Sequence, residues 1–156
     1  MKIITLNRFN KVKDKIKDKN KVLVGGCFDL FHYGHLVFLK KARQMNDYLI
    51  VALESDKFIK KRKGRKPIHN QRQRAEVLAA INYVDLIIML PYLKSDEEYF
   101  NLVKLIRPKL IAVTVGDPLF EKKKRQAKEI GGKIKIVSPL VKSFSTKKLI
   151  NNFDSD

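Results

Sequence analysis

Five short aliphatic runs, separated by stretches with helical spacing, constrain this chain more than any other feature. The runs are Lys21-Val22-Leu23-Val24-Gly25, Tyr48-Leu49-Ile50-Val51-Ala52-Leu53, Asp85-Leu86-Ile87-Ile88-Met89, Leu110-Ile111-Ala112-Val113-Thr114-Val115 and Ile134-Lys135-Ile136-Val137. Several are nearly continuous in aliphatic residues, the pattern of strands buried on both faces of a parallel sheet. Between them, residues 34–45 carry Leu36, Leu39 and Ala42, and residues 71–82 carry Ala75, Leu78 and Ile81. Residues 97–106 carry Phe100, Val103 and Ile106 before Pro108, and the charged stretch 121–130 stops at Gly131-Gly132. A last short helix is expected from near Ser145. Strands alternating with helices imply right-handed crossovers and an open, doubly wound α/β sheet of five mainly parallel strands. In such sheets ligands bind beyond the carboxyl ends of the strands. That directs attention to residues 25–35, 54–70, 116–120 and 138–146.

A chain of 156 residues fits one domain, taken here as residues 1–156. Ahead of the first run, Phe9, Val12 and Ile16 are spaced along one face of a basic N-terminal helix. One cysteine, Cys27, excludes an internal disulfide. No apolar run approaches the roughly 18 residues of a membrane span, and the N-terminus lacks the apolar core of a signal peptide. The expected location is therefore the cytoplasm, without a membrane partner.

Charge is the loudest bulk signal: 34 Lys plus Arg against 16 Asp plus Glu, a formal +18. Such an excess attracts polyanions, including phosphorylated metabolites. Lysine dominates, and aromatics are not interleaved with the basic clusters. A dedicated nucleic-acid surface usually adds arginine forks or stacking aromatics, so no specific nucleic-acid partner is expected.

The stretch that carries chemistry is Gly25-Gly26-Cys27-Phe28-Asp29-Leu30-Phe31-His32-Tyr33-Gly34-His35. It leaves a strand, turns at glycine and enters a helix. Gly26 is expected to let backbone approach a ligand. Gly34 and His35 fall in the first helical turn, where free N–H groups and the helix dipole favour an anion. His32 and His35, three apart, can point to one side of that turn. Zinc is the other reading of two histidines, but one cysteine and the distant His69 supply no convincing remaining ligands, so no metal site is assigned.

Gly-x-Phe-Asp-x-x-His-x-Gly-His resembles the signature of the cytidylyltransferase-like nucleotidyltransferases. The resemblance runs over roughly residues 3–150. It is nearest to the heptose-phosphate adenylyltransferase module of ADP-heptose synthase, through the basic leading helix, Lys63-Gly64-Arg65-Lys66-Pro67, Gln73-Arg74-Ala75-Glu76-Val77-Leu78, Gly131-Gly132-Lys133 and Ser145-Thr146. It implies a Rossmann-like fold and direct attack of an acceptor phosphate on the α-phosphorus of ATP or CTP. A phosphate oxygen is already ionised near neutral pH, so catalysis can rest on positioning and charge stabilisation.

The resemblance also implies site residues. His32, His35 and Lys63 are the catalytic set, with Lys63 on a flexible basic loop spanning residues 60–66. Gly26, Cys27, Phe28, Asp29, Gly116, Asp117, Ser145 and Thr146 are expected to bind the nucleotide. Within that set, Asp29 is read as orienting the turn. Arg74 is expected to anchor a phosphate or the folded loop. Magnesium would accompany the triphosphate, and a homodimer is common in the resembled family.

Adenylyl transfer to a sugar phosphate, such as heptose 1-phosphate, is placed ahead of cytidylyl transfer to glycerol 3-phosphate or a similar alcohol phosphate. A nucleic-acid-binding module without activity is the remaining class. His32-Tyr33-Gly34-His35 with Ser145-Thr146-Lys147 also loosely resembles class I aminoacyl-tRNA synthetases, but the chain is too short for a tRNA-binding domain. Departures from the heptose branch include Thr114-Val115 and Pro118 around Gly116-Asp117, and Leu90-Pro91-Tyr92-Leu93-Lys94 after the third run. From the glycerol-phosphate branch it departs at Leu140-Val141-Lys142. These surround the expected base and acceptor pockets, so the reaction type stands and the substrates stay open.

Overall fold

The structure, a computed structural model, describes residues 2–138 and 146–153. Its strands are β1 (Ile3–Thr5), β2 (Lys21–Gly26), β3 (Tyr48–Leu53), β4 (Leu86–Met89), β5 (Leu110–Thr114) and β6 (Lys133–Ser138). Its helices are α1 (Leu6–Val12), α2 (Tyr33–Arg43), α3 (Asp56–Lys63), α4 (Gln71–Ala79), α5 (Asp96–Ile106), α6 (Phe120–Glu129) and α7 (Thr146–Phe153). The sheet order is β1-β4-β3-β2-β5-β6, with parallel pairing at each junction.

Among the described residues the sheet has six strands, where five are expected. The extra one, β1, adds to the edge of β4, with Ile3 opposite Ile87 and Ile4 opposite Ile88. Three residues are too few to show a period, so β1 left no pattern to read. The basic N-terminal helix is present but shorter: α1 ends at Val12, and a 3₁₀ turn continues over Lys13–Ile16. Phe9 is buried, and Val12 and Ile16 pack beside it against the sheet.

Alternation along each strand builds two cores. Val22, Val24, Leu49, Val51 and Leu53 face Phe38, Leu39 and Ala42 of α2 and Ala75 and Leu78 of α4. Leu23, Ile50, Ala52, Ile111 and Val113 face Phe9 of α1, Leu102, Val103 and Ile106 of α5, and Ala127 of α6. The sheet is thus doubly wound. The chain moves from β2 to β3 on one side, while β5 pairs with β2 on the other. That reversal is the switch point at which such sheets open a crevice.

Local chemistry sets the helix ends. Asn70 and Gln73 form a reciprocal capping box on α4, as Ser95 and Glu98 do on α5. Ser55 accepts from Phe58 N to start α3, and Gly64, at φ +68°, ends it in the left-handed region. The basic stretch expected as a loop is therefore helical through Lys63. Among the described residues, no helix is long and apolar enough to cross a membrane.

Candidate active site

The β2–α2 connection is a strained turn held by buried polar ties. Phe28 and Leu30 take φ of +48° and +52°, a region costing non-glycine residues on the order of 1–3 kcal/mol each. Three observations show what holds them there. Asp29 between them is 1% exposed and accepts three hydrogen bonds: from Arg65 at 2.6 Å, Ile68 N at 2.9 Å and His69 N at 3.0 Å. Arg74 donates to the Cys27 carbonyl at 2.6 Å. Thr146, at the start of α7, donates its hydroxyl to the Asp29 carbonyl at 2.7 Å. Burial alone would raise the Asp29 pKa, but the bonds from His69, Arg65 and Ile68 outweigh it and hold the carboxyl below its ordinary value.

This turn delivers the two histidines. His32 caps α2, and its backbone N–H donates to His35 Nδ1 at 3.3 Å. The rings stack with centroids 3.7 Å apart. His35 also packs against Phe28 and Phe31, at 5.1 and 5.4 Å between centroids. Burial in this cluster, with neighbouring His32 adding to it, pushes the His35 pKa down to about 3. His35 is thus neutral at physiological pH. Because Nδ1 accepts a hydrogen bond, the ring proton sits on Nε2, which is a donor. His32 is shifted down as well, by burial. Its Nδ1 is buried with no hydrogen-bond partner among the described residues.

The other expected residues fall into distinct places. A Cβ on Gly26 would meet the Phe28 ring at 3.0 Å, so glycine is what lets that ring pack against the turn. The Cys27 thiol is pushed up to about 11, mainly by burial, and so stays protonated. Lys63 is exposed at the last turn of α3, and its charge reaches Cys27. Gly116 is left-handed at φ +76°. Asp117 accepts from Leu119 N at 2.8 Å and pairs with Lys123 of α6 at 2.6 Å, so both its oxygens are engaged. Ser145 lies outside the described residues.

Arg74 turns its donors into the protein. It is 1% exposed and donates to the carbonyls of His69, Cys27 and Glu54 and to the Asp56 carboxylate at 2.7 Å. A guanidinium so enclosed ties the loop, β3 and the turn together and offers little to a phosphate. Three further residues did not stand out in the sequence. Arg65 is hidden in a basic run that reads as a solvated face. Gln71 bridges the Leu53 and Leu90 carbonyls at 3.0 and 2.8 Å, joining the ends of β3 and β4. Glu54 is buried just past β3 and accepts from the Tyr99 hydroxyl at 2.8 Å. Its signal was an acidic residue directly after a fully apolar strand.

Residues 23–155 match the model of the family described as cytidylyltransferase-like, and the chain belongs to that family. It is a nucleotidyltransferase. An FAD synthase of Pyrococcus horikoshii is 42% identical over 120 residues, covering 76% of this chain and 79% of that protein. The bifunctional protein HldE of Campylobacter jejuni subsp. doylei is 34% identical over 137 residues, 87% of this chain; the chain spans 28% of that protein's length. A crystal structure of a lipopolysaccharide core biosynthesis protein from Thermoplasma volcanium shares the fold. Its TM-score is 0.64 at 22% identity, over 78% of this chain and 96% of that one.

Proposed function

We propose that the enzyme transfers AMP from ATP to a phosphorylated small molecule and releases pyrophosphate. The observation that carries this reading is the stacked His32–His35 pair at the start of α2, at the carboxyl end of a central strand beside the switch point. A neutral His35 with its proton on Nε2 can donate to a phosphate oxygen without bringing a full charge into the site. The free N–H groups of the first turn of α2 supply further donors. An oxygen of the acceptor phosphate attacks the α-phosphorus and forms the new P–O bond. The bond to the bridging α–β oxygen breaks, and pyrophosphate leaves with its electron pair. Donors aimed at that growing negative charge lower the barrier.

Lys63 is proposed to meet the phosphates from the end of α3. Gly116 and the α7 start at Thr146 border the remaining nucleotide subsites in this reading. Among the described residues, no group of three His, Cys, Asp or Glu side chains could hold a metal. Magnesium is proposed to arrive on the triphosphate, where it would neutralise phosphate charge.

FMN is the first acceptor to test, because FAD is AMP joined to riboflavin phosphate and the Pyrococcus horikoshii FAD synthase aligns over most of both chains. A sugar phosphate such as heptose 1-phosphate is the second, favoured by the motif wording and by the longer alignment with HldE. A pyrophosphate-release screen crossing ATP and CTP with FMN, heptose 1-phosphate and glycerol 3-phosphate decides. Release with ATP and one of the first two acceptors is expected. Release with CTP alone, or none in any pairing, overturns the proposal.

A further inference from the structure

Glu54 is buried where a ligand is expected. It is the first residue past β3, and it is 8% exposed. Its N–H donates to the Gly26 carbonyl at 3.0 Å, and its own carbonyl accepts from Arg74 at 2.9 Å. The main chain is thereby pinned beside the glycine turn. The side chain is oriented by Tyr99 of α5, whose hydroxyl donates to Oε1. Oε2 is buried and has no hydrogen-bond partner among the described residues. Native interiors rarely leave such an acceptor unpaired, and each instance asks for a partner. Burial pushes the carboxyl's pKa above its ordinary value, and the Tyr99 bond and the charges of Lys123 of α6, Arg74 of α4 and Arg62 of α3 act against that, yet no ion pair to it forms among the described residues.

Position narrows what the partner is. The histidine pair belongs to the α2 side of the sheet. Tyr99 packs on the opposite side, with α5 and α6. A two-substrate transfer needs two approaches to one phosphorus. If the triphosphate lies against α2, the acceptor enters from the α5 side, past Glu54.

We propose that Glu54, oriented by Tyr99, recognises the acceptor: Oε2 accepts a hydrogen bond from an acceptor hydroxyl and selects a hydroxyl-bearing organic phosphate. The inference rests on the nucleotidyl-transfer reading above. A site built to bond a hydroxyl rejects an analogue lacking it, because the buried group is then left unpaired.

Glu54→Gln tests this. It keeps the shape and an oxygen for Tyr99, and replaces the Oε2 acceptor by an amide N–H₂, so a hydroxyl that donated to Oε2 must turn round to accept instead. Affinities are titrated with α,β-methylene ATP present, using FMN, heptose 1-phosphate, glycerol 3-phosphate and propyl phosphate, which has no hydroxyl. For the hydroxylated phosphates that bind the parent, affinity should fall about tenfold in the variant. Affinity for the nucleotide analogue and the melting midpoint should stay unchanged, and propyl phosphate should not distinguish the two proteins. Tyr99→Phe should weaken the same acceptors by a smaller factor; it carries the comparison if Glu54→Gln does not fold. Equal acceptor affinity in parent and variant, an equal loss of nucleotide affinity, or no acceptor binding by the parent overturns the proposal. Turnover separates the two readings. A parent that binds an acceptor but never releases pyrophosphate sinks adenylyl transfer, while the Glu54 comparison is still decided by binding.

Discussion

Asp29→Asn is the sharpest test of how the turn holds the histidines. Oδ2 accepts from Arg65 and Ile68 N, and Oδ1 accepts from His69 N. An asparagine can keep one oxygen toward the first two donors. Its N–H₂ then faces the His69 N–H, losing that bond outright, and the Arg65 bond loses its charge assistance. A hydrogen bond to a charged group is worth roughly 1.5–3 kcal/mol. One lost bond and two weakened ones therefore cost about 3 kcal/mol. With a urea slope of about 2 kcal/mol per molar, the midpoint should fall by about 1.5 M with the slope unchanged. Phe28 and Leu30 would also be freed to leave their left-handed conformations, displacing the histidines and lowering turnover about 100-fold in the folded protein. The pH dependence has a definite sign. The folded Asp29 value is depressed, so its contribution is present above the ordinary 3.8 and is lost as pH falls through the folded value. Parent and variant should thus converge in stability in strong acid. A midpoint shift under about 0.5 M, or full turnover in a destabilised variant, would refute the reasoning.

His35→Ala should lower turnover about 100- to 1000-fold with the fold retained, measured as pyrophosphate release. The folded His35 takes a proton only near pH 3 and the unfolded one near 6.5, so parent stability falls as pH drops through that window; the variant should show a shallower slope in pH-dependent urea melts, with His32, also shifted down, supplying the remainder. Lys63→Ala should reduce the single-turnover rate more than nucleotide affinity, with smaller effects from Lys60→Ala and Lys61→Ala. Arg74→Lys should cost about 3 kcal/mol in urea unfolding, because one ammonium cannot serve three carbonyls and a carboxylate at once.

What the sequence revealed depended on whether the determining contacts were local. The strands β2 to β5 were legible because burial on both faces leaves aliphatic residues at almost every position. The histidine pair was legible because its strand, turn and helix are contiguous. Helix α3 was not: Ile59 is its one fully buried side chain, and the four basic residues from Lys60 to Lys63 masked it. Its Ser55 cap and Gly64 stop were the available signals. The ties around the turn were out of reach for another reason. Arg65 and Asp29 are 36 positions apart, and Arg74 and Cys27 are 47 apart. Local patterning cannot say which arginine in a basic run meets which carbonyl. Motif wording placed Arg74 near the site without saying that its donors turn inward.

The +18 charge can be sorted by the same geometry. Near the carboxyl edge, Arg74 is paired with Asp56, Arg65 with Asp29 and Lys123 with Asp117. These cations hold loops in place, and their charge is already answered. Lys60, Lys61, Arg62 and Lys63 are exposed on one helix and make no ion pair among the described residues. Their helix is capped by left-handed Gly64 and joined to the turn through Arg65. An anion drawn to this end of α3 is therefore drawn to the place where the histidines stand. Exposed charges are screened over about 8–10 Å at physiological ionic strength, so substrate capture should weaken with salt. The paired cations are less exposed to that screening, and the site's geometry should persist at salt concentrations that slow capture.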